Sequence, residues 1–233
     1  MKKIYFLFKN KSSIKIFMYY IKNKISNIFS KRKIVRFKKK HQLLLQQKKI
    51  THDFFSSHAY NFFYLLNRLK PNFNYLEIGS YEGNSALFIA NSFPETKIYC
   101  VDNWVGTEEY SGNLNFSQIE LNFDHNLDNY KNIVKIKSMS DKFFKKNNII
   151  FDVIYVDGYH LGNQVYKDCV NAWKYLKEDG LLICDDFIWG DNKNIINNPC
   201  FAINQFLKDI KGFYKLEKVS NSQIFIKKMS YYK

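Results

Sequence analysis

The first fifty residues of this chain lack acidic side chains. They contain no Asp or Glu, although they carry 16 Lys and Arg residues. Residues 51–233 hold 20 basic and 21 acidic residues, so the net charge of +15 arises in the N-terminal segment. A basic block of this kind predicts an anionic partner for the segment, either a membrane surface or a nucleic acid.

The sequence also lacks long apolar runs and paired cysteines. Lysines interrupt every apolar stretch of the N-terminal segment before it reaches the 18 or so residues that a membrane span requires. The four cysteines, Cys100, Cys169, Cys184 and Cys200, form no Cys-x-x-Cys pair and show no spacing typical of metal ligands. We therefore expect free thiols, no zinc site and a cytoplasmic location.

Apolar residues in the N-terminal segment recur at helical spacing, with Lys15, Lys22 and Lys24 set among them: Ile14, Phe17, Met18, Ile21, Ile25, Ile28 and Phe29. This pattern predicts a basic amphipathic helix. Such a helix can lie on the inner face of an anionic membrane as a peripheral contact, or simply dock on the protein beside a solvated tail. Nucleic acid is the least favoured partner.

The most informative motif lies between two apolar runs. The first run ends in Glu77 and Gly79, Gly83 follows, and residues 84–92 have helical character; the second run ends in Asp102. Glycines at this point let the backbone approach a ligand at the carboxyl end of a strand, where an acid on the next strand can bind ribose hydroxyls. The spacing Glu-x-Gly-x-x-x-Gly differs from Gly-x-Gly-x-x-Gly and favours a cationic ligand without phosphates.

Apolar runs and helical stretches alternate along the rest of the chain. Strands are predicted at 74–78, 97–101, 133–137, 151–156 and 180–184, and helices near 84–92, 117–129, 163–177 and 201–211. This alternation predicts an α/β fold with a doubly wound parallel sheet, and 213–219 with 223–228 predict a terminal antiparallel hairpin. We expect two parts: a basic helical N-terminal arm at 1–50 and one domain at 51–233.

Three carboxylates follow the fourth and fifth predicted strands. Asp157 ends the fourth strand and begins Asp157-Gly-Tyr-His160, and the pair Asp185 and Asp186 ends the fifth. The carboxyl ends of neighbouring parallel strands share one crevice, so the three acids should converge. Mutual repulsion between them would be relieved by a hard divalent cation such as Mg²⁺. Asp157 as a helix cap and His160 as an exposed loop residue are the alternatives.

The glycine motif and Asp102 resemble those of the class I S-adenosylmethionine (SAM) dependent methyltransferases, over roughly residues 51–228. This resemblance implies a Rossmann-like methyltransferase sheet, SAM as the cofactor, Asp102 on its ribose, and residues 137–141 beside its adenine. The residues then expected to contact the cofactor are Glu77, Gly79, Ser80, Gly83, Ser85, Asp102, Asn103, Met139, Ser140 and Asp157.

The Asp-Gly-x-His motif and the acid pair are similar to those of metal-dependent O-methyltransferases, in particular the branch of macrocin O-methyltransferase. That branch has Glu where this chain has Asp185. The resemblance implies Asp157, Asp185 and Asp186 as metal ligands, His160 with Asp157 as the catalytic residues, and a sugar hydroxyl of a surface glycan or its precursor as the acceptor. The alternatives are an RNA methyltransferase and a non-catalytic SAM-binding protein at the membrane.

The segment from Asn103 to Phe116 is long for a connection and is expected to cover the site. Trp104 and Tyr110 suit either stacking on a ligand ring or packing within this cover. The turn 187–191, which includes Trp189, is a second candidate wall for the acceptor pocket.

Overall fold

The structure, a computed structural model, describes residues 2–106, 114–190 and 194–230. The elements in chain order are α1 (Lys2–Lys9), α2 (Ile14–Phe29), α3 (Lys31–Leu45), α4 (Ala59–Leu66), β1 (Asn74–Ile78), α5 (Asn84–Ser92), β2 (Lys97–Asp102), α6 (Phe116–Leu127), β3 (Ile133–Lys137), α7 (Ser140–Lys146), β4 (Phe151–Val156), α8 (Gly162–Tyr175), β5 (Leu176–Cys184), α9 (Pro199–Asp209), β6 (Tyr214–Val219) and β7 (Ile224–Lys228), with a 3₁₀ turn at Ile195–Asn197 before α9.

These elements form two compact units. The first unit comprises Met1–Ser26 and Ser140–Lys233, and the second comprises Asn27–Met139. The basic segment is helical, as predicted: the helix expected from its apolar spacing is α2, and the segment also contains α1 and α3. The division into an arm at 1–50 and a domain at 51–233 stays a prediction.

In the second unit, β1, β2 and β3 are parallel, with β2 between the other two strands. Four of the five residues of β1 are buried, as are four of the six in β2, because helices cover parallel sheets on both faces. The strand β3 is only half-buried, which suits an edge strand. The apolar runs therefore form the centre of this unit, and their carboxyl ends carry its polar loops.

In the first unit, β4 and β5 are parallel, and β7 runs antiparallel to both β5 and β6. Buried asparagines fix α1 to α9: Asn198 donates from Nδ2 to Oδ1 of Asn10 at 3.0 Å, and Asn204 donates from Nδ2 to the carbonyl oxygen of Asn10 at 2.9 Å. The end of α1 is thus held by the C-terminal part of the chain.

The strand order is β3-β2-β1 in the second unit and β4-β5-β7-β6 in the first. The predicted α/β class and the terminal hairpin are confirmed. The predicted start of β5 is wrong: α8 ends at Tyr175, and β5 begins at Leu176 although the strand was expected from 180. Residues 177–179 are exposed, so they lack the apolar run on which the strand prediction rested. The short helices α4 and α7 were not predicted.

Among the described residues, no helix has both the length and the apolar character needed to cross a membrane.

Candidate functional site

The glycine turn after β1 has the backbone conformation that its sequence predicts. Gly79 and Gly83 have left-handed φ angles of 88° and 78°. The amide of Gly79 donates to the carbonyl oxygen of Val101 at 2.8 Å, which holds the turn beside the end of β2. A Cβ atom on Gly83 would lie 2.7 Å from Cδ1 of Leu127 in α6. Glycine at 83 therefore allows α5 to begin and α6 to pack close to it.

Asp102 connects the end of β2 with this turn. Its Oδ2 accepts from the backbone amides of Ser80 and Tyr81, at 2.9 Å each. Its Oδ1 accepts from the amide of Trp104 at 2.9 Å. A carboxylate with three amide donors is fixed in orientation, and it fixes both loops that supply those donors.

Asn103 and Met139, both predicted cofactor contacts, are neighbours in the second unit. The side-chain amide of Asn103 donates to Sδ of Met139 at 3.1 Å and to the carbonyl oxygen of Gly106 at 3.3 Å. Met139 is 45% exposed and lies beyond the end of β3. The structure thus brings these two residues together.

Glu77 is fully buried within β1. The hydroxyl of Tyr75 donates to its Oε2 at 3.2 Å. Burial, opposed by the surrounding hydroxyl groups, raises the pKa of Glu77 to about 7, and the nearby Asp102 carboxylate acts in the same direction. The other predicted residues of this loop, Ser80 and Ser85, are also buried. A buried carboxylate of this kind gains most from a nearby positive charge.

In the first unit, the ends of β4 and β5 carry a compact group of three side chains. One potential ligand atom from each of Asp157, His160 and Asp186 lies within 4.8 Å of the other two. Nε2 of His160 and Oδ2 of Asp186 are 2.9 Å apart. The ring of His160 lies beside that of Trp189, with centroids 5.3 Å apart. The Asp-Gly-x-His loop and the acid pair therefore meet, as the sequence predicts.

Asp185 is occupied by protein donors and lies outside this group of three. Its Oδ2 accepts from Nε2 of Gln223 at 2.7 Å and from the hydroxyl of Tyr155. Its Oδ1 accepts from the amide of Asp186 at 2.8 Å. The same Tyr155 hydroxyl is 2.8 Å from Oδ2 of Asp157, so Tyr155 lies between two of the three acids.

Burial raises the pKa of Asp157 well above its usual range, and repulsion by Asp185 and Asp186 adds to this effect, whereas His160 and Tyr155 oppose it. A phenol has one hydrogen and can donate to only one carboxylate at a time. The cluster as it stands therefore has more negative charge than its donors satisfy. This is the situation in which a bound cation stabilises a group of acids.

Three residues other than glycine adopt left-handed backbone angles at the ends of strands. They are Tyr81 after β1, Trp104 after β2 and Asp186 after β5, with φ of 48°, 48° and 52°. This region is uncommon for such side chains and is found disproportionately at functional sites. The carboxylate of Asp186 contacts His160, and its backbone amide donates to Oδ1 of Asp185.

Trp104 is buried, with only 3% of its surface exposed. It packs against Phe123 and donates from its indole nitrogen to the carbonyl oxygen of Tyr81 at 2.9 Å. Trp104 therefore packs the loop and does not offer a face to a ligand. Ser140 begins α7, and its hydroxyl contacts Nε2 of Gln164 at 3.3 Å. Tyr110 and Asp191 lie outside the described residues.

The sequence did not predict Tyr155 and Gln223, which donate hydrogen bonds to Asp185. Tyr155 precedes the motif by two positions, and only its place at the end of a buried strand signals a role. Gln223 lies in the turn between β6 and β7, and nothing in its local sequence indicates contact with an acid.

Comparison with known proteins gives one matched domain and several structures of similar fold. Residues 76–187 match a family described as "Methyltransferase domain". No curated protein matches the chain. The chain is similar in structure to an O-methyltransferase from Bacillus cereus in complex with SAH, with 15% identity, a TM-score of 0.56, and coverage of 92% of this chain and 100% of that one.

Two further solved structures are similar. TomG from Streptomyces achromogenes, an O-methyltransferase involved in tomaymycin synthesis and solved with SAM, has a TM-score of 0.56 at 11% identity, covering 83% of this chain and 89% of that one. MycE, a methyltransferase of the mycinamycin biosynthetic pathway solved with Mg, SAH and mycinamycin VI, has a TM-score of 0.53 at 16% identity, covering 81% of this chain and 54% of that one. Residues 76–187 are thus similar to a methyltransferase domain, and the three solved structures share the fold of this chain.

Proposed function

We propose that the protein is an O-methyltransferase of the cytoplasm that uses SAM and a divalent cation to methylate a sugar hydroxyl of a surface glycan or its precursor. The observation that carries the proposal is the group formed by Asp157, His160 and Asp186 at the ends of two neighbouring parallel strands. Ligands of α/β sheets bind at this edge.

The second unit fits SAM as the methyl donor. SAM supplies a methyl group attached to a positively charged sulfur. Asp102 has about four lone-pair positions, and three accept backbone amides, so one acceptor position remains for a ribose hydroxyl. The buried carboxyl group of Glu77 complements a cationic ligand, and the left-handed turn at Gly79 allows close approach of the backbone. Ser80, Gly83, Ser85, Asn103 and Met139 complete this set.

The first unit fits a hard cation such as Mg²⁺. Asp157 and Asp186 provide carboxylate oxygens, which such cations prefer, and the cation would supply positive charge to stabilise a deprotonated acceptor oxygen. Asp185 belonged to the ligand set expected from the sequence. Its hydrogen bonds to Gln223 and Tyr155 make it a positioning residue in this proposal, because they leave its carboxylate directed at protein donors.

His160 is the residue that removes the proton of the acceptor hydroxyl. Its Nε2 lies 2.9 Å from Oδ2 of Asp186, and this contact orients the imidazole ring. The ring of Trp189, which is 54% exposed, packs beside His160 and limits its orientation. A sugar hydroxyl is a weak nucleophile at neutral pH, so a positioned base contributes directly to the rate.

The choice of a sugar acceptor rests on the Asp-Gly-x-His loop and on the structural likeness to MycE, which was solved with Mg and mycinamycin VI. The likeness to MycE supports the proposal only through the shared fold. The group formed by Asp157, His160 and Asp186 is a separate argument for a bound cation.

The test is methyl transfer from labelled SAM to three acceptor pools: lipid-linked glycan precursors, small catechols and RNA. We expect label in the glycan pool, loss of the label in EDTA, and recovery with Mg²⁺. Asp186→Asn should lose activity, whereas Asp128→Asn, an equal change of an exposed acid at the end of α6, should keep it. Label in RNA alone would favour an RNA methyltransferase, and SAM binding without label in any pool would favour a non-catalytic protein.

A further inference from the structure

The helix α2 has an exposed apolar stripe. At about 100° per residue, Ile14, Met18, Ile21, Ile25, Ile28 and Phe29 fall within an arc of about 100° of its circumference. Five of these side chains are largely exposed: Ile14 by 75%, Met18 by 63%, Ile25 by 52%, Ile28 by 72% and Phe29 by 86%. The stripe thus runs along the full length of the helix.

A different face of α2 attaches it to the first unit. Ile16, Tyr20 and Asn23 are 1%, 4% and 5% exposed and lie roughly opposite the stripe. The hydroxyl of Tyr20 donates to Oδ1 of Asn221 at 3.4 Å. Because this face already docks the helix on the protein, the stripe is not needed for folding of this unit. The docking interpretation of the sequence pattern therefore accounts for one face of α2 and leaves the other unexplained.

Lysines border the stripe on both sides. Lys15 and Lys22 follow one edge, and Lys24 lies near the other. Nζ of Lys15 lies 5.7 Å from the ring centroid of Tyr214 and Nζ of Lys24 lies 5.4 Å from that of Tyr20. All three lysines are exposed, so their long side chains can also extend toward an anionic surface. No acid occurs among residues 1–50, so nothing in this segment offsets their charge. A partner that matches this surface must be apolar where it meets the stripe and anionic where it meets the lysines.

Three kinds of occupant can be compared on this basis. A second copy of α2 would cover the stripe but would bring two basic segments together. A nucleic acid would neutralise the lysines and leave the isoleucines in water. An anionic bilayer surface meets both requirements, because acyl chains accept the stripe and headgroups accept the lysines.

We propose that α2 is an interfacial membrane helix that places Ile14, Met18, Ile21, Ile25, Ile28 and Phe29 in the headgroup region of an anionic bilayer. The proposal is independent of the proposed acceptor, since it rests only on the surface of α2. It would hold the methyltransferase domain at a membrane, where lipid-linked acceptors are found.

The test is sedimentation of the full chain with vesicles of phosphatidylglycerol and phosphatidylcholine, or of phosphatidylcholine alone. The test variant is Met18→Glu with Ile25→Glu. The matched control is Leu121→Glu with Val170→Glu, which adds the same charge at apolar residues that are 60% and 43% exposed on α6 and α8. Circular dichroism and thermal unfolding establish that all three proteins are folded.

We expect the wild type and the control to bind the anionic vesicles, and the stripe variant to bind at least about tenfold more weakly. Equal binding of the stripe variant and the wild type would overturn the proposal. Failure of the wild type to sediment with anionic vesicles would also overturn it. In that case a dimer that the stripe variant abolishes would identify a second copy as the occupant, and RNA binding that the stripe variant leaves unchanged would identify a nucleic acid as the partner of the basic segment.

Discussion

Asp102 accepts a hydrogen bond from the backbone amide of Ser80 at 2.9 Å, 22 residues earlier in the chain. The adjacent amide of Tyr81 donates to the same oxygen, Oδ2, at the same distance. The acid expected to bind a ribose is therefore also the residue that holds the glycine turn in place. Cofactor binding and loop order depend on one carboxylate, so a substitution at this position affects both.

Replacement of Asp102 by Ala should weaken SAM binding by at least about tenfold and lower the free energy of unfolding by about 1–3 kcal/mol, because three backbone amides lose a charged acceptor. Calorimetric titration with SAM and urea unfolding measure the two effects. Asp128→Ala, at an exposed acid, is the control. A variant with wild-type affinity for SAM would contradict the assignment of Asp102 to the ribose.

Glu77 should make stability depend on pH. Its pKa is raised from 4.5 to about 7, so between these values the folded chain holds a proton that the unfolded chain has lost. Stability contributed by this group therefore falls as the pH rises from 4.5 to about 7, by up to about 3 kcal/mol. Urea unfolding at pH 5, 6 and 7 should show a smaller decrease in Glu77→Gln than in the wild type.

The comparison between the two proteins isolates Glu77, because other shifted groups remain in both. The raised pKa of Asp168, about 6 through burial, acts in the same direction, whereas the pKa of His41 is lowered by burial and acts in the opposite direction. Parallel curves for the wild type and Glu77→Gln would show that Glu77 has an ordinary pKa in the folded chain.

The two acids after β5 should respond differently to the same substitution. Asp186→Asn removes a proposed ligand and should lower the affinity for Mn²⁺ at least about tenfold. Asp185→Asn leaves the cation affinity closer to that of the wild type but lowers the free energy of unfolding by about 1–3 kcal/mol, because Tyr155 and Gln223 lose a charged acceptor. Manganese titration followed by electron paramagnetic resonance, with urea unfolding, separates the roles. An inverted result would make Asp185 the ligand.

His160→Gln should lower kcat by about 10² to 10⁴ while SAM affinity stays unchanged, since the base acts on the acceptor and not on the donor. Single-turnover transfer of labelled methyl to the acceptor identified in the assay above measures the rate. His125→Gln, at an exposed position on α6, is the matched control. If Mn²⁺ affinity falls together with kcat, His160 is a metal ligand and the base must be sought elsewhere.

Much of the architecture could be predicted because it depends on local spacing. The runs that became β1, β3 and β4 have the predicted bounds, and α5 begins directly after Gly83 as the motif requires. Helix α7 escaped prediction because its seven residues are too few to show a helical period. The start of β5 escaped because Lys177, Glu178 and Asp179 are exposed and charged, so the local sequence shows no apolar run there.

The sequence by itself determined the class of fold and the positions of the acids, since apolar period and glycine spacing are properties of neighbouring residues. Only the tertiary structure decided the task of each acid. Asp185 and Asp186 are adjacent and chemically identical, yet one is directed to Gln223, 38 positions away, and the other to His160. Their partners in other segments of the chain separate them, and these contacts are not encoded in the local sequence. The exposed stripe of α2 also depends on tertiary structure. The sequence shows an apolar face, but packing decides which side of the helix the protein buries.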